Sequence, residues 1–332
     1  MTRPITLFTA QFTDLSLAQI AEKAAAWGYD GLELACWGDH FEVGRVLDDP
    51  AYVKESKRIL EANELEVYTV STHLVSQAVC DLVDERHKGV LPAAVWGDGE
   101  TAGVQARAEE EVKRTARAAA AYGANTVVGF TGSSIFHMFA GWPPVSEEMI
   151  DRGFDDFSER WNRIIDVFDA EGVKFAFEVH PGEIAFDFWS TKRALDAIGH
   201  REGFGLNFDP SHLQWQGVDT VAFIDEFRDR IYHVHLKDTH VNMDGRSGIL
   251  NSHLLDGNMR RAWDFVSLGH GDIPFEQIIR KLNEIDYTGP LSVEWEDNGM
   301  ARELGASDAL KVARKLNFEP AAAAWHSTFG DE

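Results

Sequence analysis

Short β-rich runs alternate with longer stretches of helical periodicity along almost the whole chain, and this rhythm restricts the fold more tightly than any single residue. The runs are Ile5–Phe12, Gly31–Trp37, Glu66–His73, Asn125–Phe130, Lys174–His180, Phe204–Asp209, Ile231–Asp238 and Leu291–Glu296. Helical patterns over Ser16–Trp27, Tyr52–Ala62, Gln105–Tyr122 and Phe154–Ala170 separate several of them. Strand-then-helix repetition argues for βα units and a parallel sheet. Eight such units in 332 residues meet the requirement of an α/β chain closed into a (β/α)8 TIM barrel. A doubly wound open sheet is the alternative. It would show fewer strands and a glycine-rich phosphate loop after the first, and no such loop follows Phe12.

No Pro- or Ser-rich linker divides the chain, so residues 1–332 read as one barrel domain. Two connections, Leu74–Gly103 and Thr239–Ile273, are long for a compact barrel. Loops of that length are usually functional or disordered, and both follow strands at the barrel mouth, where they are expected to act as lids. The tail 317–332 is apolar enough to dock on another surface, which points to a subunit interface and a homo-oligomer.

The chain carries 31 basic and 55 acidic residues, a formal net charge of −24. Such a surface repels phosphate backbones and anionic lipid, which argues against nucleic-acid and membrane partners; it also keeps a cytosolic enzyme soluble. Two cysteines, Cys36 and Cys80, make no disulfide framework and suit a reducing compartment. The N-terminal stretch lacks a signal-peptide core, and no run approaches the roughly 20 apolar residues of a membrane span. A cytoplasmic protein is expected.

The chemistry concentrates at strand ends. The fifth run ends in Glu178-Val-His180, the sixth in Asp209-Pro-Ser-His212, the seventh contains His233-Val-His235, and the eighth contains Glu294-Trp-Glu296. In a barrel these ends converge on one mouth. A lone glutamate in an apolar strand reads as well as a buried ion-pair member, Asp209 before Pro210 as a loop cap, and His235 as a core histidine. Four such accidents on successive strands are less economical than one site. Glu178, Asp209, His235 and Glu294 are therefore read as ligands of one divalent metal ion. Three oxygen donors and one nitrogen suit Mn²⁺, Mg²⁺ or Co²⁺ better than structural zinc.

Around that set, His180, His212 and Lys237 compete for acid/base work. His180 lies two residues from Glu178 on the same strand face, and His212 lies one turn past Asp209. Lys237 either polarises a carbonyl or pairs with an acid. His233 is expected deeper, in a supporting or core role, and Glu33 and His73 on the far wall of the pocket. Trp37, Trp189, Trp215 and Trp295 offer stacking surfaces for a sugar or aromatic ring, or simply pack the core. A divalent ion bound to two adjacent sugar oxygens stabilises the enediolate formed when the carbon next to the carbonyl loses a proton. Isomerisation, epimerisation and β-elimination share that first step.

Several motifs carry a resemblance that covers nearly the whole chain: Trp27–Glu33, Phe177–Gly182, Asn207–His212, His233–Asp238, Gly269–Ile273 and Gly289–Asp297. With the four strand-end residues, they resemble the sugar phosphate isomerase/epimerase family of the xylose isomerase-like barrel superfamily. The resemblance implies a divalent metal, commonly Mn²⁺, at Glu178, Asp209, His235 and Glu294, with the two glutamates shuttling the substrate proton. Ketose epimerases of the superfamily carry a substrate-binding arginine shortly after the metal-binding histidine. Here the stretch is Asp238-Thr-His-Val-Asn242, without arginine, which points away from a free ketose. The long loop through Arg260-Arg-Ala-Trp-Asp-Phe265 is a second departure. The chain is also similar to the large subunits of C-glycoside deglycosidases, metal-dependent lyases that eliminate from 3-oxo-glycosides and work with a small β-type partner subunit. Endonuclease IV shares the superfamily but uses three zinc ions and a DNA-binding surface, which a charge of −24 opposes.

The leading expectation is thus a metal-dependent carbohydrate isomerase, epimerase or lyase acting on a small sugar or glycoside. The competing ones are a non-catalytic sugar-binding or scaffold subunit, and a hydrolase using metal-activated water.

Overall fold

The computed structural model describes residues 2–139, 141–251 and 261–321. Ten strands follow one another: β1 (Ile5–Phe8), β2 (Gly31–Ala35), β3 (Glu66–Ser71), β4 (Thr126–Gly129), β5 (Lys174–Glu178), β6 (Phe204–Phe208), β7 (Ile231–Leu236), β8 (Asp238–Val241), β9 (Trp263–Val266) and β10 (Leu291–Val293). Eight close into a barrel in the order β1-β10-β7-β6-β5-β4-β3-β2, each parallel to its neighbours. The fold is the expected (β/α)8 barrel. No helix among the described residues is long and apolar enough to cross a membrane.

Helix–sheet packing follows from periodicity. The helix Glu147–Glu171 buries Ile150, Phe154, Phe157, Trp161, Ile164, Ile165 and Phe168, a stripe at helical spacing. Trp161 lies 4.4 Å from Phe175 of β5 between ring centroids, and Phe157 packs edge-on against Phe204 of β6. The stripe seats β5 and β6, and so fixes where their C-terminal ends emerge.

Each barrel strand is shorter than its apolar run suggests. Residues past the strand ends leave the ladder because they begin something else: Thr9–Phe12 forms a 3₁₀ turn, and Pro210–Gln214 a short helix. The two long connections contain secondary structure of their own. The first holds the short helices His73–Ser76 and Ala93–Trp96. The second holds β8 and β9, which pair antiparallel with Asp238 opposite Val266 and Thr239 opposite Phe265. Of the tail 317–332 only 317–321 is described; the docking segment 322–332, and Arg260 of the long loop, lie outside the described residues.

Candidate metal centre

The barrel brings the four expected residues together. Glu178 closes β5, Asp209 follows β6, His235 sits within β7, and Glu294 follows β10; all four are buried, and one ligand atom from each lies within 4.8 Å of the others. His235 Nδ1 is 2.9 Å from Glu294 Oε2 and 3.2 Å from Glu178 Oε2. Yet Asp209 Oδ2, His235 Nδ1 and Glu294 Oε2 make no hydrogen bond of acceptable geometry. Buried polar atoms are rarely left unpaired, since each costs about 1–3 kcal/mol. Donors held about 2.1 Å from one ion, at angles near 90°, sit roughly 3 Å from each other. The spacing therefore fits a shared cation.

Local sequence explains why the donors face inward. Asp209 precedes proline and is accordingly extended, with φ −107° and ψ 107°. It caps the helix Pro210–Gln214 by accepting the Ser211 N–H on Oδ1 at 2.8 Å, so Oδ2 is left to the centre. Glu178 Oε2 accepts a hydrogen bond from Asn207 Nδ2 at 2.8 Å and lies 3.1 Å from His73 Nε2. Burial opposes its charge, and the imidazoles of His212, His235 and His73 outweigh burial, holding its carboxyl well below the usual range. Burial likewise opposes the charge of Glu294, and the Lys237 ammonium prevails. Lys237 Nζ lies 3.3 Å from both Glu294 Oε1 and Glu296 Oε2, and 4.2 Å from the centroid of the Phe265 ring. Burial pushes the His235 imidazole down, but the Glu33, Glu178 and Glu294 carboxylates raise it well above its ordinary value. The arrangement is rich in carboxylate and draws positive charge.

Comparison with known proteins places the chain in a family. A family model described as xylose isomerase-like TIM barrel matches residues 21–316. The chain belongs to that family. A Bacillus subtilis (strain 168) protein named only as uncharacterized protein YfiH is 28% identical over 180 residues, 52% of this chain and 57% of its own length. Inosose dehydratase from Clostridium perfringens is 28% identical over 141 residues, 42% of this chain and 46% of its own length. The chain thus spans about half the length of the curated relatives it matches. Three solved structures share the fold. The probable 3-DHS dehydratase AsbF of Bacillus anthracis has TM-score 0.66 at 20% identity, covering 94% of this chain and 98% of its own. The 3-keto-D-glucoside 4-epimerase YcjR of E. coli has TM-score 0.65 at 15% identity, covering 94% and 99%. The IolI protein with a bound zinc atom has TM-score 0.63 at 18% identity, covering 94% and 96%.

In this xylose isomerase-like barrel the remaining expected residues divide. His212 Nε2 lies 3.2 Å from Asp209 Oδ2 and 3.3 Å from Glu178 Oε1; burial lowers its pKa, and Asp209 and Glu178 raise it further, to about 9. His180 lies past the end of β5, half-buried, its ring centroid 4.0 Å from that of His212 and 4.8 Å from that of Phe130. Beyond it opens a cavity of about 420 Å³ bordered by Phe130, Phe136, His137 and Gln77. Glu33 does not line the pocket wall as expected. It is fully buried beneath the centre, against His233 and His235. The tryptophans mostly depart from the stacking role. Trp215 stacks on Trp263 at 4.5 Å, and Trp295 donates to Ser267 Oγ at 2.9 Å; both are buried. Trp189 is 72% exposed beside Phe188. Trp37 alone of the four stands near the centre, edge-on to His73 at 6.4 Å.

Three residues carry parts that sequence reasoning missed. Asn207 shares the inward face of β6 with Asp209 by the two-residue period, a signal that was available. Asp238 is fully buried and accepts the N–H groups of Gly269 and Gly271, each at 2.9 Å, so the Gly269–Ile273 motif is a structural clasp. Glu183 ties the loops after β4 and β5: its Oε2 accepts the N–H of Thr131 at 2.8 Å, that of Gly132, and the Thr131 hydroxyl at 3.3 Å. Gly132 has φ +72°, and a Cβ there would meet Gln77 O at 2.0 Å, so the loops after β3 and β4 touch backbone to backbone.

Burial, with the Asp81 carboxylate adding to it, pushes the Glu183 carboxyl well above its ordinary range. A raised acid contributes stability below its unfolded pKa, and that contribution is lost as pH rises through the folded pKa. Stability should therefore fall on going upward from the ordinary glutamate range. Glu183→Gln keeps an oxygen for all three donors and is expected to raise Tm by about 2–4 °C at pH 8, with no gain near pH 4. Thermal unfolding of both proteins across that interval checks this; parallel pH profiles would exclude it.

Proposed function

We propose that this chain is a divalent-metal-dependent carbohydrate enzyme that removes a proton from the carbon beside a sugar ketone and then eliminates a β-substituent. The observation that carries the reading is the convergence of Asp209 Oδ2, His235 Nδ1 and Glu294 Oε2, buried and without hydrogen bonds, beside Glu178. Glu178, Asp209, His235 and Glu294 would hold the ion, with Mn²⁺ preferred and Mg²⁺ or Co²⁺ as substitutes. When bound, the ion supplies Lewis acidity that polarises the carbonyl.

The other roles fall to side chains. Glu178, ionised and held by Asn207 and His73, accepts the proton from carbon. The electron pair of that C–H bond becomes the new double bond as the bond to the β-substituent breaks. The departing group takes a proton from His212 or Lys237. Glu294, anchored by Lys237, faces the same centre, and in an isomerase or epimerase it would return the proton instead. Two features support elimination: sequence relatives are named inosose dehydratases, and dehydration is an elimination; and the cavity beyond His180 has room for a second ring. The second suits a 3-oxo-glycoside, including a C-glycoside, better than a free ketose. A homo-oligomer, with or without a small partner subunit, belongs to the same proposal.

The test is incubation of Mn²⁺-loaded protein in D₂O with 3-oxo-glycosides and ketoses. Release of the aglycone with loss of the hydrogen from the adjacent carbon is expected. Deuterium exchange without release would assign an isomerase or epimerase, and neither release nor exchange on any substrate would sink the enzymatic reading.

A further inference from the structure

Among the described residues two sets of side chains have ligand atoms within 4.8 Å of one another, and they share one ring. The upper set is Glu178, Asp209, His235 and Glu294; the lower is Glu33, His233 and His235. They differ in what lies between their atoms. In the upper set Asp209 Oδ2, His235 Nδ1 and Glu294 Oε2 make no hydrogen bonds. In the lower set the rings meet Glu33 in hydrogen-bond geometry: His233 Nε2 is 2.8 Å from Glu33 Oε2, and His235 Nε2 is 3.1 Å from Oε1 and 3.2 Å from Oε2. Ser71 Oγ donates to Glu33 Oε1 as well. Hydrogen-bonded contacts occupy the space where a lower ion would sit.

We infer that Glu33 is a positioning residue that makes His235 a ligand. The inference rests on the upper set holding the divalent ion. A neutral imidazole has one N–H, and the nitrogen that donates it leaves the other with a free lone pair. Glu33 reaches from β2 across the barrel interior and claims the Nε2 proton, so in the neutral, ligating ring Nδ1, which faces Glu178 and Glu294, is the nitrogen that keeps its lone pair. Phe8, stacked on the His235 ring at 5.4 Å and 29°, holds the ring plane but cannot choose between the nitrogens. Carboxylates behind metal-bound histidines typically alter metal affinity 10–100-fold. The same arrangement assigns one ion per chain, because the lower set is closed by its own hydrogen bonds.

Mn²⁺ titrations at fixed pH on wild type, Glu33→Leu and Glu33→Gln test this. Wild type should bind one Mn²⁺. Glu33→Leu, with no acceptor, should bind about 10–100-fold more weakly while keeping the wild-type circular dichroism spectrum. Glu33→Gln, whose carboxamide oxygen accepts the same proton, should stay within a few-fold of wild type. Should the leucine variant not fold, histidine ¹⁵N NMR of Mg²⁺-loaded wild type reads the tautomer directly, and His235 must carry its proton on Nε2. Equal affinity of wild type and Glu33→Leu, failure of glutamine to rescue, two ions per wild-type chain, or a proton on Nδ1 would each overturn the inference and leave the functional reading standing. A wild type that binds no divalent ion would instead remove that reading, and this inference with it.

Discussion

Glu178→Gln is expected to lower turnover by about 10²–10⁴-fold, the range associated with loss of a positioned general base. The substitution preserves shape, so its effect isolates charge. Asn207 Nδ2 and His73 Nε2 both face Oε2. A glutamine oxygen placed there keeps those two contacts and turns the amide nitrogen toward His212, which lies 3.3 Å from Oε1 in the native chain. The side chain stays in place yet cannot take a proton. Aglycone release, or solvent-deuterium exchange beside the carbonyl where nothing is released, is the direct readout, with Mn²⁺ content measured in parallel to separate lost chemistry from lost metal. Turnover within tenfold of wild type would remove Glu178 from the proposed role. It would also favour the non-catalytic alternative if Glu294→Gln were equally silent.

The second large effect concerns the ion itself. Saturating Mn²⁺ is expected to raise Tm by about 4 °C, because a ligand present at a hundred times its dissociation constant stabilises the folded state by about 2.7 kcal/mol. The physical source is specific: Glu178, Asp209 and Glu294 are buried close together, with Lys237 as the ammonium whose charge reaches them. Buried carboxylates without compensation are costly, and a divalent ion relieves their mutual repulsion. Chelator should reverse the rise, and Asp209→Asn should blunt it. A melting temperature indifferent to Mn²⁺ and chelator would contradict the assignment of the four ligands.

Much of this was readable from the residues. Alternation located all eight barrel strands because the sheet is buried on both sides and its strands are apolar runs. The carboxylates and imidazoles stood out as polar interruptions at the ends of those runs. What escaped notice depends on contacts that periodicity does not encode. Asp238–Val241 and Trp263–Val266 are short, half-polar strands whose pairing spans a long loop, so nothing local marks them as a hairpin. Glu183 is set by backbone N–H groups of a different loop, which any sequence supplies equally. For Glu33, strand alternation shows that the side chain points inward but not at which depth, and depth separates a pocket wall from a support beneath the centre.

The hairpin of β8 and β9 leaves and rejoins the barrel at one point. Asp238 opens it opposite Val266, and the same Asp238 carboxylate gathers the N–H groups of Gly269 and Gly271 just beyond it. With both ends clasped there, the length of chain between them can vary at small cost, because closing a longer or shorter span adds only slowly to the entropic cost. Its inner side carries Phe265, set over Lys237 and 5.3 Å from His212. On the proposed function, exchanging this one clasped insert is expected to change substrate preference while the barrel strands keep their register.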